Sequence, residues 1–238
     1  MELSKRLQAV IRLLTEKEEM EKLRVADVGT DHGYLPIALV QDYKCKKVFA
    51  MDVNKGPLER ANRHIKAYDL SGYIEMRLSD GLKALKPGEA DCMAAAGMGG
   101  ALMIKIMSEG KDVLEHMKYW VLQPQSEIAK VRAYLQKSGY HITAEDIVYE
   151  DGKYYPLMRV EKGEAAPYSG IELKYGPCLL HKKHPVLLEY LKQELKEKEI
   201  ILERLNSTEN SRTRMRREEV FNEIAETKEG ILCFAKIL

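Results

Sequence analysis

Apolar positions at two different periods divide the chain into alternating strands and helices. Leu3, Leu7, Val10, Ile11 and Leu14 recur at helical spacing behind Ser4, a residue suited to capping a helix. Short apolar runs then alternate with amphipathic stretches, a rhythm that predicts βα units. The units are 24–29 with the helix after it, 47–52 with 57–68, 74–78 with a short helix near 82–85, and 90–95 with 101–107. A fifth run, 119–122, precedes a helix around 127–137. Segments 141–149 and 154–160 flank Asp151-Gly152 and read as a hairpin. The expected fold is α/β, a mostly parallel sheet with an antiparallel edge.

Gly163, Pro167, Gly170, Gly176 and Pro177 break this rhythm. A boundary is expected there, with an α/β domain over 1–164 and a helical domain over 165–238. Leu188, Leu191, Leu195, Leu202 and Leu205 fall near a and d heptad positions, interrupted by Lys198. A turn at 206–210 and a second helical run with Val220, Phe221 and Ile224 predict a helical hairpin, a short coiled coil. The last apolar run, 231–238, reads as strand-like.

A composition of 45% hydrophobic and 32% charged residues describes a soluble globular protein. Net charge is only +1, so any nucleic-acid contact must be a local patch. Cys45, Cys92, Cys178 and Cys233 lie far apart, without C-x-x-C or clustered histidines, which argues against a zinc site or a disulfide framework. No stretch is long and apolar enough to span a membrane, and no signal-peptide core opens the chain. The expectation is a cytoplasmic protein without metal or membrane, a monomer or weak homodimer.

Candidate chemistry starts at Asp27-Val28-Gly29-Thr30-Asp31-His32-Gly33, where an apolar run stops at a glycine turn before a helix. That order places backbone N–H groups beside a ligand. Asp52 closes the next run, at the spacing of an acid that holds ribose hydroxyls, or is a solvated acid at a strand end. A dinucleotide fingerprint needs G-x-G-x-x-G; Asp31 at the centre of this turn repels a pyrophosphate. It suits a cationic tail, and S-adenosylmethionine (SAM) carries both a sulfonium and an ammonium. Asp80 either accepts from an adenine amine or is an ordinary turn acid. The small residues of 91–100, ending in Gly97-Met98-Gly99-Gly100, let backbone approach a ligand or serve a tight helix–sheet contact. They lack the Asn/Asp-Pro-Pro-aromatic pattern of enzymes that methylate exocyclic amines, which favours a ring nitrogen. Gln123 reads a base edge or sits in a polar loop. His32 donates to substrate or caps the turn, and Tyr34 stacks on a base or packs inward. Lys182-Lys183-His184 and 212–217 are basic clusters, either solvated helix faces or phosphate contacts.

Asp27–Pro36, with Ala96-Gly97-Met98-Gly99-Gly100 and Leu122-Gln123-Pro124, resembles the bacterial tRNA (adenine-N1)-methyltransferases of the TrmK family, which modify adenine 22. Tyr175-Gly176-Pro177-Cys178-Leu179-Leu180 and Pro185 resemble that family's lead-in to a C-terminal coiled-coil domain. The resemblance implies a class I (Rossmann-like) SAM-dependent methyltransferase acting on tRNA. By motif it implies a cofactor site of Asp27, Gly29, Thr30, Asp31, Gly33, Asp52, Asp80 and Gly97. Asp31 and His32 fall where cofactor and target base meet, and are the catalytic candidates. Substrate contacts are expected from Tyr34, Met98, Gln123, Lys182, Lys183, Arg212, Arg214, Arg216 and Arg217. Two other functions use the same features: a small-molecule methyltransferase with the hairpin as lid or dimer contact, and a non-catalytic SAM-binding adaptor.

Overall fold

The computed structural model describes residues 3–16, 18–206 and 211–235. They form two compact units, Met1–Pro167 and Tyr168–Leu238, divided slightly beyond the boundary at 164 drawn from sequence.

The first unit opens with α1 (Lys5–Thr15), whose Ser4 cap accepts from the Leu7 N–H at 3.2 Å. There follow β1 (Arg24–Val28), α2 (Tyr34–Gln41), β2 (Lys47–Asp52), α3 (Lys55–Ala67), β3 (Ile74–Leu78), β4 (Cys92–Met98) and α4 (Gly100–Glu109). The unit ends with α5 (Lys111–Leu114), β5 (Tyr119–Pro124), α6 (Ile128–Lys137), β6 (Tyr140–Glu150) and β7 (Lys153–Lys162). One seven-stranded sheet has the order β3-β2-β1-β4-β5-β7-β6. Strands β1 to β5 are parallel, while β7 and β6 form the antiparallel edge. All six residues of β5 are buried, as suits a strand covered on both faces. Asp151 and Gly152 have φ of 49° and 77°, the left-handed pair that a tight hairpin turn requires.

Growth of the sheet reverses at β1: β2 lies on one side and β4 on the other. The crevice outside the carboxyl ends of β1 and β4 is therefore a topological switch point, where open α/β sheets bind ligands. Between β3 and β4 the helix expected near 82–85 is a series of turns instead. Ser79 explains the difference. Its hydroxyl donates to the Gly81 carbonyl at 2.8 Å and accepts from the Ala84 N–H at 3.1 Å, closing a loop before a helix can propagate.

The second unit contains α7 (Gly170–Tyr175), α8 (Pro177–His181), α9 (Pro185–Asn206) and α10 (Ser211–Ala235). Ser169 and Glu172 form a capping box at α7. Helices α9 and α10 pair as the hairpin; of the turn expected between them, 207–210 lie outside the described residues. The strand-like run from Ile231 is helix as far as Ala235. Val220, Ile224, Thr227 and Gly230 bury one helical stripe, and the unit offers no strand edge among its described residues. Phe221, expected with that stripe, is 64% exposed. On α9 the buried positions are Leu187, Leu191 and Lys198, with Leu188 and Leu195 only half-buried. Lys198 is thus central to the seam, pairing with Glu194 at 3.1 Å and donating to the Thr227 hydroxyl at 3.2 Å.

Candidate active site

The turn after β1 is pinned to the end of β2. Both the Gly29 and Thr30 N–H groups donate to the Met51 carbonyl, at 2.9 and 2.8 Å. Gly29 has φ +83°, and a Cβ there would stand 3.2 Å from Met98 Cε. Glycine thus permits the left-handed turn and keeps its surface clear of side chain.

Two cavities meet at this turn and share Gly29, Ala96 and Gly97. The larger, about 600 Å³, is lined by Asp27, Asp31, His32, Tyr34 and Gln125, with Arg6 from α1. The smaller, about 270 Å³, is lined by Asp52, Val53, Asn54, Asp80, Met98 and Leu102. The sheet topology therefore brings the acids at the ends of β1 and β2 and just after β3 to one cleft.

These acids differ in environment. Asp27 is 5% exposed, and burial pushes its carboxyl up to about 7 despite a hydrogen bond from the Thr30 hydroxyl; nearby Asp52 adds to the rise. Asp31 is exposed and pairs with Arg60 at 2.9 Å and with His32 Nε2 at 3.4 Å. Asp52 accepts from the Asn54 N–H at 2.7 Å. Asp80 pairs with Lys83, whose ammonium holds its carboxyl below the usual range.

His32 has φ +58°, an unusual backbone for a residue with a side chain. Its carbonyl accepts from His64 Nδ1 at 2.8 Å. The rings of His32, Tyr34 and His64 lie near-parallel, with centroids 5.4 Å apart for His32–Tyr34 and 5.5 Å for Tyr34–His64. His32 and Tyr34 thus line the larger cavity beside Asp31, with the His64 ring stacked against both.

Several residues expected in the site have other positions. Thr30 is buried, and its hydroxyl goes to the Asp27 carboxylate, so it supports that acid from behind. Gly33 is the left-handed cap of α2, packed against Ala61, and lines neither cavity. Gln123 is completely buried: its Oε1 accepts from the Gly97 N–H at 3.0 Å and its Nε2 donates to the Pro124 carbonyl at 3.3 Å. Its amide is spent on holding Gly97 and does not present a base-reading edge; Gln125 lines the cavity instead. Tyr34 and Met98, both expected beside the target base, line different cavities. Sequence reading missed Arg60 and His64. Their i, i+4 spacing puts them on one face of α3, but nothing in the sequence says that this face meets the glycine turn.

The basic clusters of the second unit are mixed. Lys182 and Arg214 are exposed. Lys183 donates to the Phe234 carbonyl at 3.3 Å, and Arg217 donates to that of Leu205 at 3.2 Å. Arg216 pairs with Glu219 at 2.8 Å and Glu223 at 3.2 Å. The Arg212 side chain lies outside the described residues. Among the described residues no group of three or more His, Cys, Asp or Glu gathers as a metal site, and no helix is long and apolar enough to cross a membrane.

A glycine turn at the switch point, with acids gathered round it and no pyrophosphate fingerprint, defines a Rossmann-like domain of the SAM-dependent methyltransferase class. The family model described as TrmK, tRNA (adenine(22)-N(1))-methyltransferase, matches residues 25–229. A Bacillus subtilis protein of that name is 37% identical over 211 residues, 87% of each chain. The crystal structure of Streptococcus pneumoniae Sp1610 in complex with S-adenosyl-L-methionine has a TM-score of 0.84 at 31% identity, covering 97% of this chain and 100% of that one. M. capricolum TrmK in complex with S-adenosyl-homocysteine has a TM-score of 0.81 at 26% identity, covering 98% and 99%. The chain belongs to the TrmK family of tRNA (adenine(22)-N(1))-methyltransferases.

Proposed function

We propose that this chain transfers the methyl group of SAM to N1 of adenine 22 in tRNA, using the two joined cavities as one cofactor and target site. The observation that carries the reading is the charge arrangement around Gly29: Asp27 and Asp31 line one cavity, Asp52 and Asp80 the other. This donor set fits a nucleoside with a cationic tail. Asp52 would take the ribose hydroxyls and Asp80 the adenine amine, while Gly29 and Gly97 leave room for the bridge between them. Asp27 would hold the ammonium.

Bound SAM supplies an electrophilic methyl on a sulfonium centre. Adenine N1 has an in-plane lone pair free at neutral pH, so the protein needs no strong base. Its contribution is alignment and electrostatics. Asp31, exposed at the cavity, would stabilise the positive charge that appears on the methylated ring. The His32 and Tyr34 rings, backed by His64, would give a flat surface to an adenine turned out of the tRNA. Lys182 and Arg214 would contact phosphates of the tRNA body, with Lys183, Arg216 and Arg217 available only after exchanging their present partners. A chain acting on tRNA would work in the cytoplasm.

The test is labelled-methyl transfer to unmodified tRNA, followed by nucleoside analysis. N1-methyladenosine at position 22, absent when that adenine is replaced by guanine, is the expected result. N6-methyladenosine, or transfer only to small molecules, would overturn the reading.

A further inference from the structure

Most arginines of the first unit have a carboxylate. Arg12 pairs with Asp146, Arg24 with Asp91, Arg60 with Asp31, Arg77 with Glu89, Arg132 with Glu145 and Arg159 with Glu18. Arg6 has none among the described residues. It lines the larger cavity together with Asp27, Gly29, Asp31 and Tyr34. Its guanidinium lies over the Tyr155 ring, 5.3 Å from the centroid, a contact that orients it without neutralising it. Its Nε is buried and has no hydrogen-bond partner among the described residues. Glu150 approaches only the backbone, accepting from the Lys5 and Arg6 N–H groups at 2.5 and 3.4 Å. The Leu7 N–H goes to Ser4, so the start of α1 is satisfied and the guanidinium alone is left to find an acceptor.

We propose that Arg6 is the oxyanion receptor of this cavity, closing its guanidinium fork on a carboxylate or phosphate of a substrate. The inference rests on the SAM and tRNA reading above. An amino-acid tail carries an ammonium and a carboxylate and needs both counter-charges. The cavity supplies acids in Asp27 and Asp31, and Arg6 is its cation without an acidic partner among the described residues. The other source of the same chemistry is a phosphodiester beside the extruded adenine. Either oxyanion matches the planar donor fork, and a lysine matches it only in charge.

The experiment compares the full chain with Arg6→Gln and Arg6→Lys, titrating S-adenosylhomocysteine, 5′-methylthioadenosine and tRNA in turn. Methylthioadenosine keeps the nucleoside and sulfur but lacks the amino-acid tail. If the carboxylate is the partner, Arg6→Gln weakens S-adenosylhomocysteine binding by about tenfold to hundredfold and leaves methylthioadenosine unchanged. If a phosphate is the partner, both nucleosides bind as before and tRNA affinity falls by about tenfold or more. In either case Arg6→Lys restores part of the loss. Parental affinity of Arg6→Gln for all three ligands overturns the proposal. So does equal loss of both nucleosides with a lowered melting temperature, which marks a packing role. A parent chain that binds neither S-adenosylhomocysteine nor tRNA removes the underlying reading as well.

Discussion

At the scale of single residues, the cleft separates two acids that look alike in sequence. Asp27 is buried and has its carboxyl pushed up to about 7, whereas Asp31 is exposed beside Arg60. An ammonium held by Asp27 needs the ionised carboxylate. S-adenosylhomocysteine binding, measured by calorimetry, is therefore expected to tighten as pH rises through about 7 and then to level. Asp27→Asn should bind more weakly with a flatter profile. Without ligand the same shift acts on stability in the opposite sense. The folded chain keeps this proton longer than the unfolded one, so stability from this group is present below about pH 4 and is lost as pH rises towards 7. Asp27→Asn should accordingly exceed the parent in stability at pH 8, by on the order of 2–4 kcal/mol, with the gap narrowing towards pH 5. Asp31→Asn should lower single-turnover methyl transfer by about 10²-fold while leaving S-adenosylhomocysteine affinity within a few-fold of the parent. Abolished cofactor binding would instead make Asp31 a cofactor ligand.

At the scale of elements, the sheet is anchored by a buried ion pair as well as by apolar packing. Arg132 on α6 and Glu145 on β6 meet at 2.9 Å with side chains 1% and 0% exposed. Removing one partner strands a charge that water cannot reach. Arg132→Met is expected to cost about 3–5 kcal/mol in urea denaturation, and a double replacement with Arg132→Met and Glu145→Leu should recover most of it. In the hairpin, Lys198 read as an interruption of a leucine seam. The structure buries it among Glu194, Glu223 and Thr227, so the seam is polar at its middle, and α9 buries Leu187 where Leu188 is only half-buried. The period was readable from sequence, but the phase was not. Phase depends on which side chains the facing helix supplies.

At the scale of the whole molecule, the two joined cavities and the two basic clusters belong to different units. Every residue lining the two cavities lies in Met1–Pro167, and the two basic clusters lie in Tyr168–Leu238. A chain ending at Pro167 is expected to retain S-adenosylhomocysteine affinity and to lose tRNA binding and methylation, as read by calorimetry and fluorescence anisotropy. Replacing Lys182 or Arg214 in the full chain should make tRNA binding less sensitive to salt. The slope of log affinity against log salt should fall by up to about one for each phosphate no longer neutralised. Undiminished tRNA affinity in the truncated chain would move the tRNA surface into the first unit.

The sequence by itself determined the βα rhythm, the glycine turn, the acids that close the strands and the family motifs, because each is written in local spacing and residue type. It also put an acid, Asp31, at the centre of the turn, where it disfavours a pyrophosphate. Which side chains reach the cleft was decided by tertiary structure. Gln123 and Thr30 turned inward, because the backbone of Gly97 and the carboxylate of Asp27 needed their hydrogen bonds. Arg6 reaches the larger cavity from α1, and Arg60 and His64 reach the glycine turn from α3, distant in sequence, where no local pattern sets them apart from any solvated helix face. The raised pKa of Asp27 likewise follows from strands packed round it, which spacing along one chain does not contain.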